Sequence, residues 1–275
     1  MKPAVEIPLA KYGTVLQIAV AERLVYRGDF FLATFLRFIP IITTLMLWRA
    51  IYDGSGQPQI GGLTYQNMIS YYLFVMVARA FGSMPGLASG ITRDVREGEL
   101  RKFLLQPINY VAFLLALRVA HKGVYFAMAG LPFVIVFWLC RDVLPGWPTP
   151  AMLAVMLTSL VLSFVQGFLF NCLMGLVAFW FLETSSLMYL VMTLEYFLSG
   201  HMFPLSLLPA GLGRLITWMP FAYETYYPTL ILVGKISGAE AGGVLLGQAA
   251  WIAVLAGLVA WTWRRGLRRY AAFGG

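Results

Sequence analysis

Charge is scarce in this chain. Asp, Glu, Lys and Arg make up 12% of its 275 residues, and 60% are hydrophobic. Soluble domains carry roughly a quarter charged residues. With a mean hydropathy of +0.77, the chain is excluded from that class and reads as an all-α integral membrane protein with little soluble mass. Cysteine and histidine are nearly absent. Cys140 and Cys172 lie far apart, and so do His121 and His201. Neither pair has the spacing of a metal site or of a disulfide framework, so no metal is expected and each cysteine is expected packed and unpaired. No secretory signal is expected, because Pro3, Glu6, Pro8 and Lys11 interrupt any early apolar core. A phosphate-binding loop is missing too. It needs G-x-x-x-x-G-K-[ST], with glycine amides around the phosphate and a hydroxyl for magnesium. The nearest match, "LVGKIS", has Thr229 in place of the first glycine and Ile236 after the lysine. Neither catalysis nor a cofactor is therefore expected of this chain.

What is present is long apolar runs. A helix needs about 20 mostly apolar residues to cross a bilayer. Six stretches qualify: Phe31–Ile51, Tyr65–Ala88, Gly123–Leu139, Ala151–Phe181, Ser185–Phe203 and Leu245–Trp263. The net charge of +8 has a topological reading, because cytosolic loops collect Lys and Arg; a nucleic-acid partner is not implied. Fourteen basic residues fall in the N-terminal segment, in the loop after the second span (Arg118 and Lys122 included) and at the C-terminus, against four on the other side. Both termini and that loop are expected in the cytosol. Residues 1–30 space Leu9, Tyr12, Leu16 and Val20 as one face of an amphipathic helix lying against membrane lipids. Residues 204–244 hold Pro204, Pro209, Pro220 and Pro228, yet are too apolar for an ordinary loop. Re-entrant external helices between the fifth and sixth spans fit, since broken backbone at membrane depth must be shielded by protein.

Residues 91–107 concentrate what charge there is. Arg93, Asp94, Arg96, Glu97, Glu99, Arg101 and Lys102 follow one another within ten positions. Thr92 is placed to cap a helix beginning at Arg93. The spacings Arg93–Glu97, Glu97–Arg101 and Glu99–Lys102 suit side-by-side pairs on a helix. Ile91, Val95, Leu100, Phe103 and Leu104 supply an apolar face, Gly98 permits a bend, and Pro107 ends the run. A topological signal needs only positive charge. The acids therefore suggest a rigid, mixed-charge docking surface.

"TRDVREGELRKFLLQPIN" and "LEYFLSGHMFPLSLLPAGLGRLITWMPF" resemble two segments of the type-2 ATP-binding-cassette (ABC) export permeases. The first is similar to the cytosolic loop of that family. The second is similar to its fifth span, the "SG…FP" end of that span and the external helix beyond. Within it "LSGH" matches only the start of an ABC signature, and does so in a membrane segment. The resemblance covers essentially the whole chain. It implies a permease of six spans that forms a dimer with itself or a related permease. It also implies a separate cytosolic ATPase that holds ATP and magnesium, a bacterial inner-membrane location, and export. The segment between spans two and three would be the coupling helix, with Arg93, Asp94, Arg96, Glu97, Gly98, Glu99, Leu100, Arg101 and Phe103 as the ATPase-coupling set.

Three charges fall inside the expected spans. Arg37 is near an end and can snorkel. Arg79 and Glu195 are deeper, where a charge costs about 2.5–3.5 kcal/mol on insertion scales. They are read either as an internal ion pair or as polar lining of the substrate path. Gly82, Pro85, Gly86 and Gly90 mark the inner end of span two as a packing face or a joint. Gly243, Gly247, Ala253 and Gly257 suggest packing on span six, and Gln166 and Asn171 suggest interhelical hydrogen bonds on span four. Two other classes compete. A secondary transporter needs ion-coupling carboxylates or internal repeats, and only Glu195 is a candidate. A membrane anchor or assembly protein needs no path.

Overall fold

The structure is a computed structural model that describes residues 39–181 and 183–272, with isolated positions before them. The expected amphipathic helix over residues 1–30, and Arg37, lie outside the described residues. Most of those described are helical, and they carry no β-strand. Four helices are long and apolar enough to cross a membrane. The first combines α2 (Tyr65–Gly82) with α3 (Leu87–Arg96), separated by a short break. The others are α5 (Tyr110–Leu139), α6 (Pro150–Leu176, prolonged by a 3-10 turn to Phe179) and α11 (Gly238–Ala272). Helix α1 (Ile39–Ser55) precedes them, and α4 (Leu100–Leu105) joins α3 to α5. Helix α7 (Ser185–Leu198) follows α6, and three short helices fill the stretch before α11: α8 (Ala210–Thr217), α9 (Pro220–Glu224) and α10 (Tyr226–Leu232).

The caps explain where the long helices begin. The Thr64 hydroxyl accepts the Asn67 N–H at 3.3 Å, Asn109 Oδ1 accepts the Ala112 N–H at 3.0 Å, and Thr149 accepts the Met152 N–H at 3.3 Å. Each satisfies a donor with no partner inside its helix. Pro150 follows Thr149 in the first turn, where its missing N–H costs nothing.

Several expected boundaries move. The third span starts at Tyr110 rather than Gly123, so Arg118 and Lys122 stand on a helix and not in a loop. The fifth stops at Leu198 rather than Phe203. Its 14 residues measure about 21 Å at 1.5 Å per residue, because Gly200 at φ 77° turns the chain away. Helix α1 has 17 described residues. Six uninterrupted spans are therefore not what the described residues show. The helix expected to start at Arg93 starts six residues earlier: Gly86 is its N-cap, and Thr92 lies inside it with its hydroxyl on Gly175 O at 3.5 Å.

Helix α6 is the hub, packing against α2, α3, α9, α10 and α11. At one end, Val95, Leu100, Tyr110, Cys172, Phe179 and Val259 bury a common cluster. At the other, Trp48, Tyr52, Tyr71, Leu205, Ile216 and Tyr226 do the same. Small residues decide where backbones touch. A Cβ on Gly167 would stand 2.2 Å from Gly82 O, and one on Gly247 would stand 2.3 Å from the Tyr223 ring. Gly90, Gly243 and Gly257 meet nothing within 4 Å, so the expected glycine repeats do not act as continuous packing faces. Gln166 reaches Pro220 O on α9 at 2.5 Å, whereas Asn171 bonds Gly167 O of its own helix at 3.0 Å and links no neighbouring helix among the described residues.

Overpacking a close helix contact costs about 1–3 kcal/mol. Gly167→Ala is therefore expected to lower the thermal midpoint of the detergent-solubilised protein, followed by size-exclusion fluorescence after heating. Gly257→Ala is expected to leave it unchanged.

Candidate functional site

The break between α2 and α3 is the first element of the site. Pro85 has no N–H to donate, and Gly86 adopts φ 73°, a conformation that glycine takes without strain. Carbonyls freed this way need donors when they sit at membrane depth. Lys122 Nζ donates to Ser83 O at 2.7 Å and also to Ala80 O. Arg118 Nη1 donates to Pro85 O at 2.8 Å. The two basic residues are four apart on α5, hence on one face. Charges that topology counting assigns to a loop instead close the gap in a broken helix.

The second element is the charged segment itself. Ile91, Val95 and Leu100 are buried, and Arg93, Arg96, Glu97, Arg101 and Lys102 are exposed. Helix α3 ends at Glu97, whose N–H donates to Arg93 O at 2.8 Å, and Gly98 at φ 79° turns the chain into α4. Glu97 and Arg101 thus stand on either side of a turn, not on one continuous helix. Glu99 does pair with Lys102, and Arg96 approaches Glu183 at 3.8 Å. A hydrogen bond from Ser185 holds the Glu183 carboxyl below the usual range. Asp94 faces inward and accepts the Tyr110 hydroxyl at 2.7 Å. The Phe103 ring lies 5.0 Å from both Tyr110 and Phe113, and Tyr110 stacks on Trp263 at 5.4 Å. Asp94, Leu100 and Phe103 therefore fix the segment to α5 and α11, while the exposed charges form its outer surface. Leu104 and Leu105, 47% and 88% exposed, add an apolar tip.

The third element lies deeper. Arg79 of α2 donates to Glu195 of α7 at 2.8 Å, with side chains 27% and 12% exposed. A lone charge at that depth is costly, and pairing offsets much of the cost. Both residues border a cavity of about 490 Å³ that reaches down to Ser83, Pro85 and Gly86 at the break, with Gly82 behind it. His201 also borders the cavity, 4.6 Å from the Tyr196 ring.

The sequence reading missed Glu224. It is 2% exposed, and its Oε1 has no hydrogen-bond partner among the described residues. Gly82 and Gly167 leave the room it occupies: a Cβ on either would stand 3.0 Å from that oxygen. A lone acid in the apolar run "PFAYETYY" was the available signal. Gln248 was missed as well, and it ties α11 to Ser159 and Tyr223 O at 3.0–3.1 Å.

A family model described as ABC-2 family transporter protein matches residues 38–274. Comparison with curated proteins gives no match.

Breaking one member of a buried pair leaves the other uncompensated. Arg79→Met and Glu195→Gln are each expected to lower thermal stability. The double variant is expected to recover most of the loss, with a coupling energy of about 1–3 kcal/mol read from a double-mutant cycle of thermal midpoints.

Proposed function

The chain belongs to the ABC-2 transporter family, and from that premise we propose that it is the membrane permease subunit of an ABC exporter driven by a separate cytosolic ATPase. It is a multi-pass membrane protein. In this reading six segments span the bilayer: α1, α2 with the start of α3, α5, α6, α7 and α11. Helices α8 to α10, within residues 204–244, are re-entrant from the outer side. Both termini and residues 91–107 lie in the cytosol, and the membrane is the bacterial inner membrane. A second permease copy or a related permease completes the path. ATP and magnesium belong to the ATPase, and this chain does no chemistry of its own.

One observation carries the proposal. A mixed-charge outer surface stands on a buried apolar base, and that base is continuous through α3 with the capped break and the cavity above it. A push on Arg93, Arg96, Glu97 and Arg101 reaches the inner cluster through Asp94, Leu100 and Phe103. It then arrives at Gly82, Pro85, Gly86 and Gly90, the joint below Arg79 and Glu195. Rigid elements with a defined hinge transmit displacement; a solvated loop would absorb it. The joint is where α2 and α3 change their relative angle as two ATPases close, and the cavity changes its access with them.

Glu97→Lys puts a third positive charge beside Arg93 and Arg96 on the outer surface, and like charges across an interface act against binding. Co-purification of the cognate ATPase, and permease-stimulated ATP hydrolysis, are expected to fall by about tenfold, which corresponds to 1.4 kcal/mol. Membrane insertion is expected to be normal. Undiminished association in Glu97→Lys contradicts the assignment.

A further inference from the structure

The cavity beside Arg79 is built from two kinds of surface. Its wall is apolar and adaptable. Met76, Met84, Met174, Met188 and Met192 all border it, and methionine side chains reshape around varied apolar ligands. Its polar end is small and positive. Arg79 makes one side-chain hydrogen bond, from Nη1 to Glu195 Oε1. A guanidinium carries five N–H donors in a fork that matches carboxylate or phosphate oxygens. Glu195 is the more enclosed partner, with its side chain 12% exposed against 27% for Arg79, so the donor-rich group is the one facing the open space.

The neighbouring charges have the same sign. Lys122 and Arg118 donate to the carbonyls of Ala80, Ser83 and Pro85, three residues that border the cavity. Among the described residues, Arg79, Lys122 and Arg118 stand against two acids here, Glu195 and the buried Glu224. The sum over these five side chains is positive even with both acids ionised. At about 490 Å³ the space falls within the range of small-molecule sites, about 300–1,000 Å³.

We infer that this cavity binds an amphiphile with an anionic head group. The head is held by Arg79 in place of Glu195, and the hydrocarbon or ring body lies along the methionine wall. Glu195 is then an internal competitor, occupying the guanidinium until an anion displaces it. This deepens the permease reading by naming the class of molecule at that site. Its test is binding alone, so failure here leaves the ATPase association of the permease untouched, and the reverse also holds.

The test uses the full chain in phosphatidylcholine nanodiscs, titrated with dansylundecanoate, a fluorescent fatty carboxylate. Its methyl ester and the corresponding amine serve as the neutral and cationic comparisons. Saturable binding of the carboxylate is expected, with the ester and the amine weaker by about tenfold or more. Glu195→Gln, which removes the competitor, is expected to tighten carboxylate binding by about tenfold. The double variant Arg79→Gln with Glu195→Gln removes both members of the ion pair together and is expected to lose the preference for the carboxylate. Two sources share this chemistry, and phosphatidylglycerol added to the nanodiscs separates them. Displacement of the probe assigns the site to a bilayer lipid, and retention assigns it to a single-chain amphiphile; either result upholds the anionic class. Absence of saturable binding, an ester that binds as tightly as the carboxylate, weaker binding in Glu195→Gln, or an undiminished preference in the double variant overturns the inference.

Discussion

Backbone polar groups within a bilayer have no water to bond, so each interruption of a helix there has to be satisfied by protein. Two interruptions shape this molecule. Between α2 and α3, Lys122 and Arg118 supply donors to the carbonyls freed around Ser83 and Pro85. After α7, the hydroxyls of Tyr71 and Tyr72 donate to Gly200 O and Met202 O at 2.6 and 2.7 Å. The donors come from α5 in the first case and from α2 in the second. Each break is therefore also a tie between helices, and α2 takes part in both.

The arrangement of the site follows from those ties. With α2 bonded to the end of α7, Arg79 and Glu195 meet at 2.8 Å. Lys122 and Arg118 hold the end of α2 and the break against α5, and the Asp94–Tyr110 bond holds α3 against the same helix further on, so the cavity and the charged segment share α5 as a common support. Glu224 fits behind Gly82 and Gly167 only because both lack a side chain. The short helix α9, the broken span and the hub helix α6 thus converge on one polar point within an apolar protein. Electrostatic interactions there are stronger than at the surface because the surrounding dielectric is low.

Much of this was legible in the sequence. Hydropathy located the long spans, and the concentration of charge in residues 91–102 singled that stretch out. Its inward and outward faces were also readable: Ile91, Val95 and Leu100 are buried, and Arg93, Arg96 and Glu97 are exposed. Other features were not. Counting charges by side of the membrane weighs Arg118 and Lys122 only as charges, and their carbonyl partners lie more than thirty residues away. The run after Leu198 stays apolar through Phe203, so hydropathy extends past its end a helix that stops before Gly200. Gly82, Gly86 and Gly90 look alike at intervals of four, yet the first makes room for Glu224, the second turns the chain, and the third faces open space. Period alone does not separate these uses, because each depends on what the rest of the chain brings alongside.

The central claim is that residues 91–107 receive the ATPase and pass its motion to the broken span. Hydrogen–deuterium exchange of the permease, alone and with its cognate ATPase held in the ATP-bound state, tests this most directly. The account predicts slower exchange across residues 91–107 in the complex and altered exchange at Ser83–Gly90, with the remaining helices unchanged. Slowed exchange confined to other surfaces, with residues 91–107 exchanging as in the free permease, contradicts it.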